Sequence, residues 1–482
     1  MKPNILILMA DQMQGRLLEP DHPCKTPNLD RLASRGVRFR NAYTTNAVCS
    51  PARAGLMTGL LPHNHGVLEV THCTDDDQSC LREDTPHFAQ RLCEAGYLTG
   101  YFGKWHVERS LDLERFGWQV NGEFGTERAE AKRRELLGAN PPEPVITHEH
   151  VLDSPEGYAR GRLHAVTDVP PEKRGMGIVT SMALDFLDEA LQGEVPWCCF
   201  ASITEPHDPF VCGREAFAQY DVDSVELQPN VHDELHDKPG IYRVASRVWQ
   251  HMSQRDKQEA AACYWALATE LDGQFGRLLD RVEAAGQLDN TLVIVTADHG
   301  ELLGSHGLYC KNISGFEEVY NIPMLVAGPG VARGVTSEAR IGSHDLCPTL
   351  CELGGARSID VPDSRSFARL LGDPSACEDD FDEGFAEYHG TRIKLTQRVY
   401  WKGPWKYLFN GFDVDELYNL DDDPYELNNL AEEAAHRDTL REMARGMWRV
   451  VRDTDDHNLF KSHYPILRVG SFGPEVLDDV PD

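Results

Sequence analysis

Asp11-Gln12 and Asp298-His299 each directly follow a mostly apolar run, Asn4 to Ala10 and Thr291 to Ala297. Such runs read as strands buried on both faces of a parallel sheet, and open α/β sheets build their sites at the carboxyl ends of their strands. Two carboxylates brought together there repel unless a cation joins them. Oxygen ligands with one imidazole suit calcium, magnesium or manganese better than zinc. Taken singly, either pair reads equally well as a cap on the element that follows.

Cys49-Ser50-Pro51-Ala52-Arg53 has a different use. Ser50 and Pro51 have the types of an N-cap followed by a first-turn proline, which puts Cys49 at a helix start, where free N–H groups and the helix dipole favour an anion. Arg53, four residues on, returns to the same face. The group pairs a nucleophile with a donor fork suited to a tetrahedral oxyanion. In Gly96 to His106, Lys104 and His106 fall on one face of an extended segment, delivering a cation and a proton carrier together. Glu205-Pro206-His207-Asp208-Pro209 follows the apolar run Trp197 to Ile203. His207 there is the expected general acid for a leaving alcohol, because histidine holds a transferable proton near neutral pH.

These segments resemble the formylglycine-dependent sulfatases of the alkaline-phosphatase-like superfamily. The C-x-P-x-R signature lies at Cys49 to Arg53 and runs on through Ala54 to Gly59; the second signature spans Gly96 to His106 with its G-K-x-H ending intact. Further matches are His344 to Leu350, Glu416 to Leu420 and Asp423-Pro424, so the resemblance covers the chain to about residue 430. It implies that Cys49 is oxidised to formylglycine by a formylglycine-generating enzyme. The aldehyde hydrate then attacks sulfur, and collapse of the covalent ester releases sulfate. It further implies one divalent ion, calcium first with manganese or magnesium as alternatives, on Asp11, Gln12, Cys49, Asp298 and His299. Lys311 joins Arg53 and Lys104 as an anion clamp, beside His106 and His207. Asp11-Gln12 and Asp298-His299 replace the more usual Asp-Asp and Asp-Asn, which resembles the branch of choline sulfatase and the phosphonate monoester hydrolases. A phosphonate monoester or phosphodiester is therefore the alternative substrate to a small or saccharide sulfate ester. Where that branch has an asparagine, this chain reads Gly66 to His72, leaving His72 to line the wall. A non-catalytic binding protein of the same fold would have lost the nucleophile or a metal acid, and neither is missing.

The elements that position these residues alternate strand with helix. Helices are predicted over Asn28 to Arg35, Thr85 to Ala95, Gly177 to Gln192 and Gln254 to Ala285, the last closed by Gly286. The expected fold is α/β, a mostly parallel sheet sandwiched by helices over residues 1–371, then a smaller α+β subdomain over 372–482. The acidic GDPSACEDDFDEG is the expected linker, followed by a hairpin around Gly403-Pro404, a helix over Ala431 to Val451 and an extended tail from Phe460. That tail is of the kind that wraps a neighbouring copy in a homo-oligomer. A chain of 482 residues is long enough for two such units. Its net charge of −31 argues against a nucleic-acid or anionic-membrane partner. Thirteen scattered cysteines and an N-terminus that runs straight into the first strand point to the cytoplasm, or to a periplasmic or secreted protein if a leader has been trimmed.

Overall fold

A computed structural model describes residues 2–75, 80–139, 141–153, 155–311, 313, 315–460 and 468–478. In chain order its strands begin with β1 (Asn4–Ala10), β2 (Gly36–Tyr43), β3 (Leu98–Gly103), β4 (Val120–Glu123) and β5 (Ile146–Leu152). Next come β6 (Gly161–Thr167), β7 (Trp197–Ser202), β8 (Phe210–Gly213), β9 (Thr291–Ala297) and β10 (Met324–Ala327). The last are β11 (Val335–Gly342), β12 (Glu383–Thr391), β13 (Ile393–Lys402), β14 (Trp405–Asn410) and β15 (Glu416–Asn419).

Eight strands form the central sheet in the order β11-β2-β10-β9-β1-β7-β3-β4. Every pair in it is parallel except the two made by β10. This strand runs opposite to β9, so it starts at the edge where β9 ends and needs no crossover, as a parallel connection does. All residues of β1 and β9 are buried, as their apolar runs require. Helices Gly175–Ala190 and Gln254–Ala284 pack together on the sheet, and helices Cys49–Thr58, Phe88–Glu94 and Leu346–Leu353 form the second group. The helix starting at Gln254 carries a capping box, in which Asp256 N donates to Ser253 Oγ and Ser253 N donates back to Asp256 Oδ2.

The C-terminal sheet, β12-β13-β14-β15, has period-two burial on both faces. Val399, Trp401 and Leu408 face the catalytic region, where Trp401 stacks on Tyr43 at 4.4 Å and donates through Nε1 to Glu317. Tyr400, Tyr407 and Phe409 face the helix Arg437–Asp453. The acidic connector is packed, since Phe381 is buried and Glu378 accepts from Ser337 Oγ. A three-stranded sheet, β5-β6-β8, was not anticipated from the sequence. Residues 461–467 lie outside the described residues, but 468–478 fold onto this chain's own last long helix, where Trp448 Nε1 donates to Phe472 O at 3.0 Å and Val476 is buried. The apolar stripe of Leu440, Met443, Met447 and Val451 is wide enough to take both the sheet and the returning chain.

Candidate active site

Asp11, Lys104 and Asp298 follow the carboxyl ends of β1, β3 and β9, and the register of the parallel strands brings them to one edge. Gly103 makes this approach possible: its φ is 97°, and a Cβ there would lie 2.1 Å from Ser202 O. The helix Cys49–Thr58 enters the same edge with every residue buried, and its first turn begins at Cys49 itself after Val48. Ser50 is not its N-cap, as the sequence pattern predicts; its Oγ accepts instead from Thr71 N at 3.2 Å, tying down the segment that carries His72.

Arg53 is fully buried and commits its donors to protein atoms. Its Nε donates to Asp298 Oδ2 at 2.7 Å and its Nη2 to Asp11 Oδ2 at 2.8 Å. Its Nη1 donates to Lys104 O and Ser202 Oγ, each at 2.8 Å. The fork that the sequence assigns to an oxyanion is thus occupied by the two acids.

Asp11 is divided in its duties. Its Oδ2 accepts from Arg53 and from Lys104 Nζ, the latter at 2.6 Å. Its Oδ1 has only long neighbours: Cys49 Sγ and His207 Nε2 at 3.8 Å and His299 Nε2 at 3.9 Å. His299 Nδ1 pairs with Gly300 O at 2.9 Å, which makes Nδ1 the donor and leaves the Nε2 lone pair facing Cys49 Sγ at 3.1 Å. Ligand atoms of Asp11, Cys49, Asp298 and His299 all lie within 4.8 Å of one another. Two buried carboxylates, an imidazole nitrogen and an outward-turned Asp11 Oδ1 fit a divalent cation.

The electrostatics match this crowding. Burial and the Cys49 sulfur oppose ionisation of Asp11, but Lys104, His207 and Arg53 hold it below the carboxylate range. Asp298 is pushed up by burial and by Asp11. Burial opposes charge on the Cys49 thiol, yet Lys104, Lys311 and His299 hold it well below the thiol range. Lys311 Nζ donates to Gln12 Oε1 at 3.1 Å and lies against His207 Nε2. Burial lowers His207, while Asp11 and Cys49 outweigh it and raise the ring to about 9. His207 Nδ1 donates to Asp208 O at 2.6 Å, which turns Nε2 toward Lys311 and Asp11. His106 adopts φ 51° and its ring stacks on His72 at 5.4 Å.

The structure therefore gathers Asp11, Gln12, Cys49, Arg53, Lys104, His106, His207, Asp298, His299 and Lys311 around one centre. Sequence reasoning missed Asp208 and Glu301. Both accept from Gln12 Nε2, and burial, aided by Asp208, pushes Glu301 up to about 7. Glu301 stands three residues after Asp298 in Asp-His-Gly-Glu, the one local signal that marks it.

Comparison with known proteins agrees over nearly the whole chain. Residues 3–356 match the family model described as Sulfatase, and residues 304–453 match that of N-sulphoglucosamine sulphohydrolase, C-terminal. Choline-sulfatase of Rhizobium meliloti (strain 1021) is 31% identical over 449 residues, 89% of this chain and 83% of that protein. The multifunctional alkaline phosphatase superfamily protein PehA of Trinickia caryophylli is 27% identical over 493 residues, 92% of this chain and 94% of its own. Among solved structures, a phosphonate monoester hydrolase from Silicibacter pomeroyi superposes with a TM-score of 0.78 at 24% identity, covering 95% of this chain and 97% of that one. The structure of BT4656 with its substrate D-glucosamine-2-N,6-O-disulfate superposes at 0.73 and 20% identity, covering 95% and 99%.

Proposed function

The chain belongs to the sulfatase family, and we propose that it hydrolyses a sulfate monoester through a formylglycine hydrate at position 49 beside one divalent ion. The observation that carries this reading is the placement of Cys49. It is the first residue of a buried helix, with His299 Nε2 at 3.1 Å and Lys104, Lys311 and Asp11 around it. The Cys49 Sγ stands where the hydrate oxygens would be. As that hydrate, the side chain supplies the oxygen that bonds to sulfur as the S–O bond to the alcohol breaks; deprotonation of its second hydroxyl then expels sulfate, and water restores the hydrate.

Asp11, Gln12, Asp298 and His299 would hold the ion, which contributes positive charge where sulfuryl oxygens gather negative charge. Calcium is the first expectation, and the imidazole donor of His299 makes manganese its competitor. Arg53 keeps Asp11 and Asp298 in place by forking between them, so we assign it to positioning and not to the anion. Lys104 and Lys311 bring cations to the sulfate oxygens. His207 supplies the leaving alcohol with its proton, which Asp11 and Cys49 hold on the ring against its burial by raising it to about 9. His106, held against His72, faces Cys49 and accepts the hydrate proton. Because Cys49 is only 2% exposed, the maturation enzyme must act before the chain folds around it.

Gln12 and His299 also favour a second reading, hydrolysis of a phosphonate monoester or phosphodiester with the same nucleophile. Kinetics on an aryl sulfate and an aryl phosphonate ester, with protein made alongside the maturation enzyme, separate the two. The sulfate is expected to show the higher kcat/KM; a far higher value on the phosphonate overturns that choice. The peptide containing position 49 should weigh about 18 Da less than its cysteine form, as an aldehyde replaces a thiol. Cys49→Ala should fold normally and lose turnover. Active protein of unmodified mass, or an active Cys49→Ala variant, overturns the mechanism.

A further inference from the structure

Gln12 occupies a position where a second carboxylate would be the simpler cation ligand, and its surroundings show why an amide stands there. Its side chain is fully buried, on backbone with φ 63°. That backbone is clamped from two sides. Gln12 N donates to Asp298 Oδ1 at 3.0 Å, and Tyr264 OH donates to Gln12 O at 2.7 Å. At the far end, Nε2 donates one hydrogen to Asp208 Oδ1 at 2.9 Å and the other to Glu301 Oε2. Asp208, Glu301 and Cys310 by themselves make a tight group with ligand-like spacing, but the amide NH2 already sits between the two carboxylates.

The orientation of an amide is settled by its partners, since oxygen and nitrogen are otherwise interchangeable in shape. Here two carboxylates require the nitrogen, so Oε1 turns the other way, toward Lys311 Nζ at 3.1 Å. Lys311 also bonds to His207 Nε2, which lies 3.8 Å from the outward-facing Asp11 Oδ1. The Gln12 oxygen is therefore on the cation-binding side. Glu301 has no freedom to compromise: its Oε1 accepts from Leu303 N at 2.8 Å and Cys310 N at 2.6 Å, which leaves only Oε2 for Gln12. A carboxylate at position 12 would face the buried carboxylate of Glu301 and the half-buried one of Asp208 and be repelled.

We propose that Asp208 and Glu301 are positioning residues that lock the Gln12 amide with its oxygen toward the divalent ion, making residues 12, 208 and 301 a matched set. This rests on Gln12 being a ligand of that ion. Glu301→Gln tests it cleanly. The two backbone N–H groups claim the new amide oxygen, so the new NH2 opposes the NH2 of Gln12 and leaves Asp208 alone to hold that amide.

The experiment is calorimetric titration of metal-free protein with Mn2+ and with Ca2+. Glu301→Gln should bind about 10- to 100-fold more weakly than wild type, the usual cost of losing a group that orients a ligand. Combining it with Gln12→Glu and Asp208→Asn exchanges donors for acceptors and again presents an oxygen, so the triple variant should recover at least ~10-fold of that loss. A merely structural Glu301 would lower thermal stability in both variants and show no such recovery. Wild-type affinity in Glu301→Gln, or a triple variant no tighter than the single, overturns the proposal. A wild-type protein that binds neither ion overturns the ligand reading of Gln12 on which it stands.

Discussion

Replacing Arg53 with methionine, which keeps length and removes charge, tests whether this residue serves the acids or the substrate. The guanidinium is the only cation paired with Asp298 by a direct hydrogen bond among the described residues, whereas Asp11 retains Lys104 Nζ at 2.6 Å. Most of the damage should fall on Asp298, already pushed up by burial and by Asp11. Removing one partner of a buried pair costs about 3–5 kcal/mol because the other charge remains without compensation. The bonds to Lys104 O and Ser202 Oγ at 2.8 Å add roughly 1 kcal/mol each. In EDTA the variant should lose about 5–7 kcal/mol on these terms. A divalent ion replaces the missing positive charge and should bind the variant about 30-fold more tightly than wild type, so with saturating Mn2+ the loss should shrink by ~2 kcal/mol. Urea unfolding followed by tryptophan fluorescence, with and without the ion, measures both numbers. A loss under ~1 kcal/mol in EDTA, or the same loss in both conditions, would refute the charge bookkeeping behind Arg53.

Two further outcomes follow from other parts of the molecule. His63 is raised to about 9: burial opposes its charge, but Glu387 outweighs it and Thr454 O helps. A histidine raised in the folded state stabilises fully below its unfolded value near 6.5 and loses that contribution as pH climbs through about 9. With the side chain only 9% exposed, the step is on the order of 3 kcal/mol, and urea midpoints from pH 6 to 10 should show it in wild type and lack it in His63→Gln. Lys311→Met should lower kcat/KM on the sulfate ester by about 100-fold, typical of removing one preorganised donor to transition-state charge. Steady-state kinetics with an unchanged far-UV spectrum is the check.

The parts legible in the sequence were those whose signal is local. β1 and β9 are continuous apolar runs with their acids attached, and the long helix announces its end through Gly286. Cys49, Lys104 and His106 lie in short patterns. What could not be read is partnership across the fold. Gln12 meets Asp208 and Glu301 at sequence separations of 196 and 289 residues, and no periodicity carries that information. The same holds for Arg53, whose spacing from Cys49 puts it at the right end of a helix but leaves open which oxygens it meets. Ser50 failed for a related reason: a residue type with a good local use was recruited by a distant group, Thr71 N.

Net charge misleads here for the same reason. Screening confines a charge to about 8 Å at physiological salt, so the surplus of 31 negative charges governs approach to the protein and has little say within the buried site. Inside, the cations are not equivalent. Arg53 is consumed by two carboxylates and Lys104 Nζ by one, whereas among the described residues Lys311 Nζ bonds only to the neutral oxygen of Gln12 and the His207 ring. Lys311 is therefore the cation with the most charge left for an incoming anion.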